Sequence, residues 1–384
     1  MNDHYIKHYP VANGDTTLIS LTDDAKILID INITEDSTDE EIDHRYNVKE
    51  DLLRELQKDG NIPFVDAFIL THPDNDHCRG FQKIYHCGAP DEYSKTSLDE
   101  ELIRIDELWF SPRIFIEYHS DLNEDAKAFK KEAQRRIELH KKNKQDKDKP
   151  GNRIKIIGYS DDAELSDLEH LIVTPGQYIS SINGSTKKDF SFFVHAPFKR
   201  DIDDNEERND TSIVLHARFD VDRTQRAGLV MLGGDAGSEI WRKIWEISKS
   251  ENLEWDIFLA PHHCSWKFFN VSSHEDDSKP EGSSINILNK LRTGAYVISS
   301  SRGIDALDDK LPPHQKAKKE YEKIVGANNF MITSDYKDGK NPVPIVFRFT
   351  ANGPQRLPVK KAISAARSAL IGEVTNRPST YGRK

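Results

Sequence analysis

"THPDNDHCRG", residues 71–80, follows the apolar run "VDAFIL" (65–70) and sets two histidines, two aspartates, a cysteine and an arginine in ten positions. Asp, Asn and Pro alone would mark an ordinary turn at the end of a strand. Two histidines interleaved with two aspartates point further, because imidazole nitrogen and carboxylate oxygen are the common ligands of divalent metals. On extended backbone leaving a strand, residues 72, 74 and 76 can face one side, and His77 follows by a turn of the chain. The stretch is therefore expected to be a core strand that ends in a metal-binding loop.

Two more stretches repeat this design. "GLVMLGGDA" (228–236) is an apolar strand pattern ending in Asp235, and "WDIFLAPHHCS" (255–265) is another ending in His262 and His263. Taken singly, the first reads as a turn and the second as a surface pair. Taken together, core strands that deliver His or Asp at their ends are what a multi-ligand site needs, since rigid elements hold ligands in place.

The rest of the chain frames these strands. "TTLISL" (16–21) and "KILIDINI" (26–33) read as strands separated by a polar turn, and Val48, Leu52, Leu53 and Leu56 recur at helical spacing within 47–59. A strand is expected to end near Phe110. The charged stretch after it is read as an exposed helix and a flexible Lys/Asp loop, an insertion at about 112–152. Strands return at 153–159, 170–175 and 190–197. "TSIVLHARF" (211–219) and "GLVMLGGDA" form a hairpin pattern, Ile240, Ile244, Trp245 and Ile247 share a helical face, and a helix is expected over 313–325. No repeat or linker divides the chain. The expectation is one mixed α/β domain over 1–350, with sheets covered by helices, and a basic tail over 351–384.

Composition narrows the function classes. The 384 residues are 36% hydrophobic, enough to bury a core, and contain no run of 18 apolar residues, so no membrane span is expected. The first residues show no apolar signal core, and three cysteines (Cys78, Cys87, Cys264) suit a reducing cytoplasm. The net charge of −11 argues against a nucleic-acid binder that uses its whole surface. The charge is uneven, however: residues 351–384 carry seven Lys/Arg against Glu373, a net +6, which leaves −17 on the body. Such a tail is either a phosphate-binding arm or a solvated segment.

The ordered set of motifs resembles the metallo-β-lactamase fold, and most of all the hydrolase domain of ComEC-type DNA-uptake proteins and its stand-alone relatives. "THPDNDHCRG" is similar to H-x-[HD]-x-D-H, with Asp74 in the second ligand place. "VANGDTTLI" (11–19) resembles G-Q-G-D-[AS]-x-L-I, "ILIDIN" (27–32) resembles L-I-D-x-G, and "NDTSIVL" (209–215) resembles N-x-x-S-[IV]-V-L. "MLGGDA" (231–236), "PHHCSWK" (261–267), "YVISSS" (296–301) with "LPPHQ" (311–315), and "ITSDYKDG" (332–339) follow in the same order. The departures are Asn13 for Gln, Asn32 and Cys264 for Gly, and Gln315 for Pro.

This resemblance implies an αββα sandwich, two mixed sheets facing each other with helices outside. It also implies two divalent metal ions, manganese or zinc, with the oxygen donor Asp74 tilting the choice toward manganese. His72 and Asp74 would hold the first ion, Asp76 and His77 the second, with Asp235 between them. Either His262 or His263 would complete the second site, and His262, the first residue off the strand, is favoured. Asn209 stands where many relatives have a further histidine, and is either a weak amide ligand of the first ion or no ligand. His195 is either its replacement or a satisfied strand-end histidine. Asp76, His263, His314 and Lys267 are the candidate catalytic or phosphate-contacting residues, with Ser265 beside them. Cys264 is either an oxidation-sensitive neighbour of the metals or a small buried filler. The implied activity is a phosphodiesterase or nuclease in which metal-activated water attacks nucleic acid. A small-molecule phosphate-ester or cyclic-nucleotide hydrolase is the alternative, and a non-catalytic metal-binding subunit is a third, with the insert or the tail as its partner surface.

Overall fold

The computed structural model of the protein describes residues 3–33, 46–116, 122–159, 165–198, 209–304 and 310–359. It is a mixed α/β structure built on two large sheets. The larger has ten strands. Tyr5–His8, Thr17–Ser20 and Lys26–Ile29 form an antiparallel meander, and Ile62–Ile69, Arg104–Phe110, Arg153–Ile157 and Ile172–Val173 continue it in parallel. The smaller sheet has seven. Phe190–Ala196, Val214–Val221 and Thr224–Leu232 are antiparallel, and Trp255–Leu259, Leu291–Ser299 and Phe330–Ile332 extend the sheet in parallel.

The layers follow from the period-2 alternation of strand side chains. Along the strand that leads to Thr71, Phe68 and Leu70 pack toward the helices, while Ala67 and Ile69 pack toward the other sheet. Across from them, Ile257 and Leu259 face the inter-sheet core, while Phe258 faces the second set of helices, as does Trp255 beyond a register shift in the strand. Both faces of these parallel strands are covered, which is why their sequences read as continuous apolar runs rather than as alternating ones. The result is helix, sheet, sheet, helix.

Several expectations change in the folded chain. The charged stretch after Phe110 is no exposed insertion. Its helix Glu124–Lys141 buries Ala126, Phe129, Ala133 and Ile137 in the outer core of the larger sheet. It lies in the connection between the parallel strands Arg104–Phe110 and Arg153–Ile157, and a parallel pair needs such a crossover. The sequence hid this because the buried stripe is narrow and partly polar: Arg136 is buried, with its Nε on Glu132 Oε1 at 2.7 Å. The helix at 47–59 stops at Glu55, because Lys58–Asp59 turns back as a short strand against Ile62–Pro63. In the helix Ser238–Ile247 the buried face is Ile240, Trp241 and Ile244, and Ile247 points outward. The sheet also runs past residue 350: Gly353–Arg356 pairs with Ile345–Thr350. The basic residues from Lys360 onward lie outside the described residues. No helix among the described residues is long and apolar enough to cross a membrane.

Candidate metal centre

The site lies where the carboxyl ends of parallel strands from both sheets meet. Lys26–Ile29 delivers Asp30, Ile62–Ile69 delivers Thr71 and His72, Thr224–Leu232 delivers Asp235, Trp255–Leu259 delivers His262 and His263, and Leu291–Ser299 delivers Ser300. The two sheets are joined there directly, since the Ile213 amide donates to the Thr71 carbonyl at 3.0 Å. Beyond His72 the chain stays extended through Asp74, then makes one helical turn, Asn75–Cys78, which presents Asp76 and His77.

Asp235 is the hub. His77 Nε2 lies 3.1 Å from its Oδ1, and the Nε2 atoms of His72, His262 and His263 lie 3.6, 3.7 and 3.7 Å from its Oδ2. His72 Nε2 is also 3.7 Å from Asp74 Oδ2, and His263 Nε2 is 3.2 Å from Asp76 Oδ2. The side chains of His72, His77, His263 and Asp235 are at most 3% exposed, whereas those of His262, Asp74 and Asp76 are 24–33% exposed. The site thus has a buried floor and an open rim.

Two of the floor histidines are oriented from behind. His77 Nδ1 is 2.7 Å from Asp30 Oδ2, and the other oxygen of Asp30 accepts the Thr71 amide at 2.8 Å. A carboxylate on Nδ1 fixes the tautomer and aims the Nε2 lone pair forward, the usual support of a metal-ligating histidine. His263 Nδ1 lies 3.1 Å from the Ser300 carbonyl and 3.2 Å from the Gly14 amide. One nitrogen cannot serve both, since the carbonyl needs a donor and the amide an acceptor. The carbonyl is nearer, and donating to it leaves Nε2 aimed at Asp235 and Asp76.

The residues fit a bound cation. The Nε2 atoms of His72, His77 and His263 and Oδ1 of Asp235 are buried without a hydrogen-bond partner. Leaving such groups unpaired costs about 1–3 kcal/mol each, and bound cations would give them partners. One ligand atom each from Asp15, His77, Asp235 and His263 lies within 4.8 Å of the others. Charge adapts in the same sense. Burial alone would lower the pKa of His263, but Asp235, Asp76 and Asp15 push it up to about 9. Burial would likewise lower His77, and Asp235 and Asp30 raise it well above the imidazole range. Burial would raise Asp235, but His77 and its other imidazole neighbours hold it well below the carboxylate range.

Of the residues expected from sequence, His72, Asp74, Asp76, His77, Asp235, His262 and His263 are brought together. The second group includes His263 rather than the favoured His262, because His263 is the one that turns inward to Asp76. His262 stays on the rim, with Nδ1 3.4 Å from Asn209 Nδ2, so Asn209 lies beside the site. His195 is elsewhere. Its ring is satisfied by the Asn252 carbonyl and Ser248 Oγ, at 3.1 and 3.2 Å. Lys267 also turns away, its exposed ammonium donating to the Val271 carbonyl at 2.9 Å. His314 is buried and clamps the loop, its Nδ1 accepting the Trp266 amide at 2.9 Å while its own amide donates to the Cys264 carbonyl at 3.1 Å. Ser265 Oγ accepts the Lys267 amide at 3.2 Å. Cys264 is fully buried in the apolar core beneath the site. Asp15 and Asp30 are site residues that lie in two of the quoted motifs, "VANGDTTLI" and "ILIDIN", but are not among the candidate ligands or catalytic residues named from the sequence. Each is a lone aspartate in a turn or strand end, and only its neighbours in space reveal its role.

Comparison with known protein families finds no family model that matches the chain, and a search of curated proteins finds no significant match.

Proposed function

We propose that the protein is a divalent-metal-dependent hydrolase of the metallo-β-lactamase fold that cleaves phosphodiesters, with nucleic acid as its substrate. The observation that carries this reading is the set of three buried imidazole Nε2 atoms, without hydrogen-bond partners, around the Asp235 carboxylate. The sandwich with ligands at its strand ends supports the fold, as do the motifs in their order.

In this reading His72, Asp74 and Asp235 would hold one ion, and Asp76, His77, His263 and Asp235 would hold a second. Bound divalent ions would acidify water and offset charge on the nonbridging oxygens of a phosphodiester. The chain's own residues do the rest. Asp30 and Ser300 fix the two floor imidazoles, so the ligands need no reorganisation. Asp74, Asp76 and His262 form the open side by which a substrate arrives. Burial lowers the pKa of His262, which favours its neutral form at the rim.

The acidic body, −17 outside residues 351–384, favours a second reading, a small phosphate ester or cyclic nucleotide, because a polyanion is repelled by it. One panel separates the readings. Metal-free protein is reloaded with Mn²⁺ or Zn²⁺ and offered plasmid, single-stranded DNA, RNA, a cyclic nucleotide and a chromogenic diester. Cleavage of the polymers supports the first reading and turnover of the small esters alone the second. Tight metal binding with no turnover leaves a metal-binding subunit.

A further inference from the structure

We propose that Asp15 is a direct ligand of the second metal ion, a carboxylate that the H-x-[HD]-x-D-H pattern and the strand-end aspartate and histidines do not supply. The inference rests on the metal-centre reading above and adds a residue to it.

Three observations carry it. First, Asp15 is buried within the group Asp15, His77, Asp235 and His263, its Oδ1 3.8 Å from His263 Nδ1. Two buried carboxylates, Asp15 and Asp235, thus share one enclosure, which is unfavourable unless a cation lies between them. Second, the other donors of that group are already aimed inward: Nε2 of His77 and of His263 are buried without hydrogen-bond partners. Third, the loop that carries Asp15 is stitched to both ligand loops. The Asp15 amide donates to the Asp76 carbonyl at 3.2 Å, and Ser300 Oγ donates to the Gly14 carbonyl at 2.6 Å. Asn32 Nδ2 donates to the Asn13 carbonyl at 2.8 Å, and Asn13 Nδ2 to that of Pro312 at 2.7 Å. Gly14 permits this approach. Its φ is +141°, and a Cβ there would stand 2.1 Å from Asn32 Nδ2 and 2.6 Å from the Asp76 carbonyl oxygen. A loop fixed this tightly sets a carboxylate in place rather than leaving it to solvent. The added oxygen donor also hardens the second site and turns its preference from Zn²⁺ toward Mn²⁺.

The test is metal binding by full-length Asp15→Asn and wild-type protein, stripped and titrated with Mn²⁺ and Zn²⁺ by calorimetry, with the melting temperature followed alongside. Asparagine keeps the shape and removes the charge. A direct ligand predicts loss of one ion, or Mn²⁺ binding at that site weakened by more than roughly 100-fold, beyond the span expected of a residue that only orients a ligand. It also predicts a smaller Mn²⁺-induced rise in melting temperature and a smaller loss for Zn²⁺ than for Mn²⁺. Asp15→Ala is the second variant, and it should lose the same ion. Two ions of wild-type affinity in either folded variant overturn the proposal while leaving the metal centre intact. A wild-type protein that binds no divalent ion overturns the metal centre itself.

Discussion

At the level of single residues, the turn that carries the histidines is held in an unusual conformation. His262, His263 and Cys264 have φ of +50°, +55° and +70°, three successive left-handed residues without a glycine. Each costs about 1–2 kcal/mol relative to ordinary backbone, and strain of this kind persists only where the surroundings over-determine it. The His314 clamp and the burial of Cys264 do so here. Cys264→Gly should relieve about 1–2 kcal/mol of backbone strain and lose a similar packing contribution, about 1–2 kcal/mol for a side chain of this size. The melting temperature should therefore move little. Because the thiol is buried, thiol reagents should leave native protein active. Rapid inhibition of wild type, absent in Cys264→Gly, would show that the sulfur is reachable after all.

The ligands themselves give a second prediction of this kind. Asp76→Ala and His77→Ala together should remove one metal ion and nearly all hydrolysis. Metal analysis that finds two ions in the folded double variant would sink the assignment. Protons compete with metal for the same atoms, and here the sign is definite. The carboxylates around His263 raise its pKa to about 9, and burial first among other causes raises Asp15 to about 6. Below pH 6 both are protonated in the metal-free protein. Between pH 6 and 9 Asp15 is ionised while His263 still holds its extra proton. Metal affinity should therefore rise with pH across both intervals, and binding at pH 7 should release at least about one proton. Calorimetry in buffers of different ionisation enthalpy measures this. Affinity that is flat from pH 6 to 9 would contradict the arrangement around His263.

At the scale of elements, the helix Glu124–Lys141 supports the site from behind. Phe129 packs its ring against Phe68 and Phe81, with centroids 6.1 and 5.3 Å away, and Phe68 lies on the strand that ends at His72. Phe129→Ala should cost about 3–5 kcal/mol and weaken metal binding by loosening that strand. Denaturant unfolding monitored with and without Mn²⁺ tests both. A loss below about 1 kcal/mol would mean that the helix is no part of the core. The charge that made it look like an insertion lies on the side turned to water and, in the Glu132–Arg136 pair, inside the packed face.

At the scale of the whole molecule, function depends on how an acidic body meets its substrate. If the substrate is nucleic acid, removal of 360–384, which spares the strand Gly353–Arg356, should weaken binding and flatten its salt dependence. Each phosphate that the shortened chain no longer neutralises lowers the slope by about one. Binding measured at two salt concentrations decides. Unchanged slopes would make the tail a solvated or partner-binding segment and strengthen the case for a small substrate. Metal should also stabilise the whole fold, since its ligands come from both sheets. Chelation should lower the melting temperature, by mass action on the folded state alone.

Residue types and their spacing along the chain were enough for the mixed α/β class, the strands that carry the candidate ligands, and the set His72, Asp74, Asp76, His77, Asp235, His262 and His263 that the fold gathers in one place. These were legible because ligation needs particular side chains and a core strand leaves a periodic apolar trace. Which of two adjacent histidines turns inward became visible only in the folded chain. Their backbones are nearly identical in conformation, and the Ser300 carbonyl and Gly14 amide that meet His263 Nδ1, not residue type, mark the inward one. The fold alone showed that Asp15 reaches the site and that Asp30 stands behind His77, because their places in a turn motif and a strand-end motif name no partner 47 to 248 positions away. It also removed His195 and Lys267, whose residue types suit the chemistry but whose polar atoms are satisfied elsewhere. Ligand chemistry is written locally along the chain, whereas the direction of a side chain is a property of everything packed around it.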